Sequence, residues 1–110
     1  MNGWRSNLIL TVRTLASEAE QVAYSKKSGL PLADVPGELV CMWGDDLYRP
    51  EQPGWSQHFS PSELAAMTEF DRVFESEVNR YEERAAWGRI MAAASELVER
   101  VGWGTTASAA

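Results

Sequence analysis

The residues able to do chemistry in this sequence are few, and most fall between positions 41 and 63. Asp45 and Asp46 form the sharpest acidic pair, with Glu51 and Glu63 nearby in sequence. Hard carboxylate oxygens of this kind suit a divalent cation. The D-x-[DN]-x-[DN]-G order of a calcium loop is absent, however. A helix-end cap, or a contact for an Arg or Lys of a partner, suits the pair better. His58 is the single histidine and Cys41 the single cysteine. A two-histidine metal site is therefore excluded within one chain. A nucleophilic Cys–His pair would have to join Cys41 to His58. Cys41 stands in the apolar run Leu39–Trp43 and reads as a small buried residue. His58 reads as a loop residue close to a helix start at Ser60. No phosphate loop, G-x-G-x-x-G, G-x-S-x-G or CxxC pattern is present. The expectation is a binding protein with no catalytic residue, no metal and no cofactor; a small enzyme using Asp45, Asp46 or His58 is the weakest reading.

The charge distribution says more than the motifs. The net charge is −6, and it is localised. Residues 1–37 and 84–110 each balance to +1, whereas residues 38–83 hold eleven acids against Arg49, Arg72 and Arg80, a balance of −8. Such a surface repels nucleic-acid phosphates and attracts basic partners. Plain solubility would explain the same composition. The segment from Ser60 carries Glu63, Glu69, Asp71, Glu75, Glu77, Glu82 and Glu83. Asp71 and Glu75 are like charges at i and i+4, a pairing that costs helix stability and hints that the negative face has a use. Five tryptophans add large rings suited either to a small core or to an interface. Trp43 and Trp87 lie on apolar stripes and read as core, while Trp55 falls in a loop and reads as a partner contact. The candidate binding residues are Asp45, Asp46, Tyr48 and Trp55, with Glu63, Asp71 and Glu75 as an electrostatic rim.

These residues must be positioned by helices. At 110 residues the chain has room for one domain, expected over 1–103 with a tail at 104–110. Leu8, Val12, Leu15, Ala16, Ala19, Val22 and Ala23 recur at helical spacing and predict one helix over about 4–28, closed by Lys26, Lys27 and Gly29. Residues 30–37 form a connector with two prolines and a glycine. Residues 38–43 could be a buried strand, but no strand elsewhere could pair with it, so a short helix with Leu39, Trp43 and Leu47 on one face is preferred. Residues 44–59 read as a long loop. Ser60-Pro61-Ser62-Glu63 is a capping box, with Phe59 and Leu64 placed as a hydrophobic staple. Its apolar stripe ends at Val78 and the next begins at Trp87. Nine residues at about 100° each put the two stripes half a turn out of phase. A break around Asn79–Glu83 lets both face one core; a single helix bridging two subunits is the alternative. The fold expected is all-α: three main helices, a short helix and a long loop.

No apolar run approaches the roughly 20 residues a membrane helix needs. Leu8-Ile9-Leu10, interrupted by Arg13, is too short for a secretory signal. With one cysteine no internal disulfide is possible. A cytoplasmic protein is expected, with no membrane and no direct nucleic-acid partner.

The stretch from Leu39 to Pro50, with Trp43, Asp45, Asp46 and Tyr48, followed by Phe59-Ser60-Pro61-Ser62-Glu63-Leu64, resembles small acidic bacterial helical proteins of toxin-immunity or uncharacterised type. The resemblance covers about a quarter of the chain. It implies a helical inhibitor that neutralises a basic toxin by tight binding, with Asp45, Asp46 and Tyr48 as the residues carried over. A homo-oligomeric structural protein or complex subunit is the competing expectation.

Overall fold

The computed structural model describes residues 3–104. Every regular element among them is helical. The order is α1 (Gly3–Leu15), α2 (Glu18–Ser28), a 3₁₀ turn (Leu32–Asp34), α3 (Val35–Cys41), a π-helical turn (Met42–Leu47), a 3₁₀ turn (Trp55–His58), α4 (Pro61–Glu77), a 3₁₀ turn (Val78–Arg80) and α5 (Arg84–Val101). The expected tail falls at 104–110, of which 105–110 lie outside the described residues.

Five helices replace the expected three plus one, and the difference begins at Ser17. Apolar spacing runs through residues 4–28 without interruption, but Ser17 leaves the helical region at φ −142° and caps α2, its side chain accepting from Glu20 N at 3.2 Å. Glu18 and Glu20 occupy the first turn of α2, where carboxylates complement the helix dipole. The break frees carbonyls at the end of α1. Buried Gln21 supplies donors for two of them, Nε2 reaching Thr14 O at 3.1 Å and Leu15 O at 3.3 Å. At the other end of α2, Gly29 takes φ +79° and donates to Ser25 O, the left-handed cap expected of glycine.

α3 confirms the helical reading of residues 38–43. Val35, Leu39, Trp43 and Leu47 are all buried, at steps of four that carry one stripe from α3 through the π turn. The long loop predicted for 44–59 is correspondingly shorter, because the π turn takes its first residues and the 55–58 turn its last. Cys41 is exposed, not buried. It stands two residues past Leu39, about 200° around the helix, and so turns away from the stripe.

α4 opens on the full capping box. Ser60 Oγ accepts from Glu63 N at 3.1 Å, and Glu63 Oε1 accepts from Ser60 N at 2.8 Å. The break expected around Asn79–Glu83 falls between Glu77 and Arg84. It lets Phe70 and Phe74 of α4 and Ile90, Ala94 and Leu97 of α5 enter one core with Leu8, Val12 and Leu15 of α1. α5 packs against both α4 and α1, and α1 also packs against α2, α3 and the π turn. Among the described residues no helix is long and apolar enough to cross a membrane.

Candidate interaction surface

The π turn places the acidic pair. Trp43 fixes it from below: its indole stacks on Tyr48 with centroids 4.6 Å apart and planes 9° off parallel, and meets Phe70 edge-on at 4.8 Å. Trp43 Nε1 donates to Asp71 Oδ1 at 2.9 Å. The chain over 44–47 is thereby held against α4, close enough that a side chain at Gly44 would touch Phe74. Arg49 then bonds the Asp45 carbonyl and pairs with Glu51 at 3.0 Å. Asp45 and Asp46 project from this braced turn, both exposed. Neither side chain has a hydrogen bond or ion pair among the described residues.

Trp55 lies elsewhere than a partner contact requires. It is 2% exposed. Its Nε1 donates to Leu47 O at 2.8 Å, and its ring packs edge-on to Tyr48 at 5.4 Å and against Phe59 at 4.9 Å. The last carbonyls of a helical turn need donors, and the indole supplies one at the end of the π turn. Gly54, at φ +83°, turns the chain so that the indole enters the core. Tyr48, half-buried between two indoles, keeps a neutral phenol. Burial raises its pKa, the Asp71 charge adds to that, and a side-chain hydrogen bond with Thr68 opposes it.

Two of the rim residues are likewise engaged within the fold. Asp71 holds Trp43, which gives this acid a structural reason for its place beside Glu75. The Glu63 carboxylate gathers four donors, one of them from its own capping box. Arg5 Nη1 and Nη2 reach Oε1 and Oε2 at 2.8 Å each, Ser60 N reaches Oε1, and Trp103 Nε1 reaches Oε2 at 3.0 Å. The Arg5 hydrogen bonds are the main reason its pKa falls to about 2, with Ser60 and Trp103 adding to them against the cost of burial. Arg5 is itself held over the Phe59 ring at 5.5 Å and bonds His58 O at 2.9 Å. Glu75 is exposed and has no ion pair among the described residues. The seven candidates thus divide: Asp45, Asp46 and Glu75 face solvent, Tyr48 is half-buried, and Trp55, Glu63 and Asp71 serve the fold.

The other acids of α4 and the following turn are mostly matched. Glu69 pairs with Arg72, and Glu77 with Arg80 at 3.2 Å and with Arg89 of α5 at 2.9 Å. Chiefly the Arg89 hydrogen bond lowers the Glu77 pKa. Cys41 and His58 are both exposed, stand on separate elements and share no hydrogen bond. Among the described residues no group of three or more His, Cys, Asp or Glu side chains is arranged to hold a metal ion. Sequence reasoning missed Arg5, Gln21 and Trp103. Arg5 and Trp103 meet Glu63 across 58 and 40 residues, and no local spacing encodes such a meeting.

Comparison with known proteins finds no matching family model, no similar curated protein and no similar solved structure.

Proposed function

We propose that this chain is a protein-binding module that meets a basic partner through the acidic face around the π turn, most concretely an inhibitor of immunity or antitoxin type acting in the cytoplasm. The observation that carries the reading is the division of the acids. Asp45, Asp46 and Glu75 remain exposed and unmatched, while neighbouring Glu51, Glu63, Glu69 and Glu77 have arginine partners. Unmatched charge on a braced turn steers an oppositely charged protein into contact and costs little reorganisation on docking. The resemblance of the Leu39–Pro50 and Phe59–Leu64 stretches to small bacterial proteins of toxin-immunity or uncharacterised type is in keeping with this role. Nothing in the reading requires catalysis, a cofactor or nucleic acid. The test is charge reversal, Asp45→Lys with Asp46→Lys, against a partner captured from cells of origin. The expected result is slower association with a shallower salt dependence. An unchanged rate and salt dependence removes the electrostatic claim.

A second reading has its own observation. Leu10, Val22 and Leu32 are 55%, 38% and 50% exposed, and such apolar groups could be covered in a homo-oligomer. Sedimentation separates the two readings: a monomer across the working concentration range sets the oligomer aside.

A further inference from the structure

A groove of about 400 Å³ opens between α1, α2 and the α3–π turn segment, away from the aromatic stack. Its apolar surface comes from Leu10, Leu39, Met42 and Leu47, and its polar groups from Asn7, Thr11, Thr14, Tyr24 and Asp46. The volume lies within the range of small-molecule sites, about 300–1,000 Å³, which typically combine apolar walls with a few polar groups.

The polar groups here are underused by the fold. Thr11 is 2% exposed, yet its Oγ1 is buried without a hydrogen-bond partner. Its neighbour Thr14 avoids this by donating to Leu10 O at 2.8 Å. An orphaned buried hydroxyl is unusual enough to call for an explanation, a bound ligand among them. Tyr24 Oη finds only the Met42 sulfur, at 3.9 Å. Burial, and to a lesser degree the Glu38 charge, raise its pKa and keep it a neutral donor and acceptor. Neither Asn7 nor Asp46 has a side-chain hydrogen bond among the described residues. Leu10, more than half exposed, leaves a large apolar side chain at the groove.

The sign of the ligand follows from the lining. Among the described residues lining the groove, Asp46 is the only charged one, and none is Lys, Arg or His. An anion would meet repulsion without a counter-charge; a cation would meet a carboxylate, a hydroxyl and a side-chain amide carbonyl, all acceptors. Met42, unbranched and polarizable, lets the wall adapt to an apolar chain.

We infer that this groove binds a small amphipathic amine, its ammonium group on Asp46 and Thr11 and its apolar body along Leu10, Leu39, Met42 and Leu47. The groove shares Asp46 with the acidic face proposed above, but its apolar walls and Thr11 lie outside that face. Amine binding is measured without any protein partner, so its failure and that of the protein-binding reading are distinguishable. The probe is hexylammonium, titrated into the intact protein while backbone amide resonances are followed by NMR, with hexan-1-ol as the neutral match. Hexylammonium shifts Asn7, Thr11, Tyr24, Met42 and Asp46 saturably, and hexan-1-ol binds more weakly. Asp46→Asn weakens the amine about tenfold or more, the scale of a lost charge-assisted hydrogen bond. Glu99→Gln removes an equal charge from exposed α5 and leaves the amine's affinity unchanged. Thr11→Val keeps the side-chain shape, retains the fold by circular dichroism and weakens the amine several-fold. Absent or unsaturable shifts overturn the site. Equal binding of the alcohol, or an equal loss in Glu99→Gln, overturns cation recognition at Asp46. Full affinity in Thr11→Val overturns the part assigned to the hydroxyl.

Discussion

Arg5 and Glu63, 58 residues apart in sequence, face each other through two parallel N–H···O bonds of 2.8 Å. The pair joins the first turn of α1 to the first turn of α4, and Trp103 completes it from beyond α5. The Glu63 side chain is 12% exposed and that of Arg5 41%, so the carboxylate has more to lose when its partner goes. Glu63→Gln is expected to destabilise the fold by about 1.5–3 kcal/mol, the range for hydrogen bonds to charged groups. Urea unfolding measures this, and a loss under about 0.5 kcal/mol, ordinary for surface changes, contradicts the assignment.

The same carboxylate sets an acid response. Its folded pKa is about 2 against an ordinary 4.5, so the folded state holds it ionised where the unfolded chain takes up a proton. The stabilisation is fully present above the ordinary value and is lost as pH falls from there through about 2. Stability measured across this window declines in the wild type and declines less in Glu63→Gln. Glu77, also lowered, keeps some slope in the variant. Parallel slopes would mean that Glu63 is not the linked group.

Trp43 offers a separable test of packing and hydrogen bonding. Trp43→Phe retains a ring for Tyr48 and Phe70 but removes the donor to Asp71. The expected cost is about 2–4 kcal/mol, combining lost volume in a close-packed site with an unpaired carboxylate. Asp71→Asn, which still presents an acceptor, costs less. If the two variants are equally stable, the indole's bond to Asp71 is not what matters there.

Cys41 gives a direct check on the orientation of α3. Its thiol is exposed, so it reacts with a thiol reagent in the native protein as completely as in urea. Cys41→Ser changes stability by less than about 0.5 kcal/mol. Protection in the native state would place the residue back in the core.

Much of this fold was legible because its signals are local. Ser60, Pro61 and Glu63 announce α4 within four residues, and the phase mismatch between Val78 and Trp87 announces the break before α5. The break at Ser17 is also local but is masked by apolar spacing that continues through it; the Ser17–Glu20 offset is its one cue in the sequence. Trp55 was misplaced for a different reason. A loop between prolines and glycines reads as surface, and nothing in sequence reveals that Leu47 O needs a donor eight residues on. Glu63 and Asp71 look like rim charges in the sequence because their partners, Arg5, Trp103 and Trp43, are distant along the chain. Asp45 and Asp46 kept their expected exposure because the stripe of Val35, Leu39, Trp43 and Leu47 fixes which side of the turn is buried.

The meeting of Arg5 and Trp103 on one carboxylate also bears on when this chain can fold during its synthesis. A nascent chain that has just added Glu63 already holds Arg5, but Trp103 is still 40 residues away. α1 packs against α5, and Ile90, Ala94 and Leu97 close the core. Until α5 leaves the ribosome, the sides of α1 and α4 that face it stay uncovered, and contacts of high sequence separation reward the chain only after the loop between them is closed. The protein therefore completes its fold late, only once α5 has emerged and Trp103 can reach Glu63.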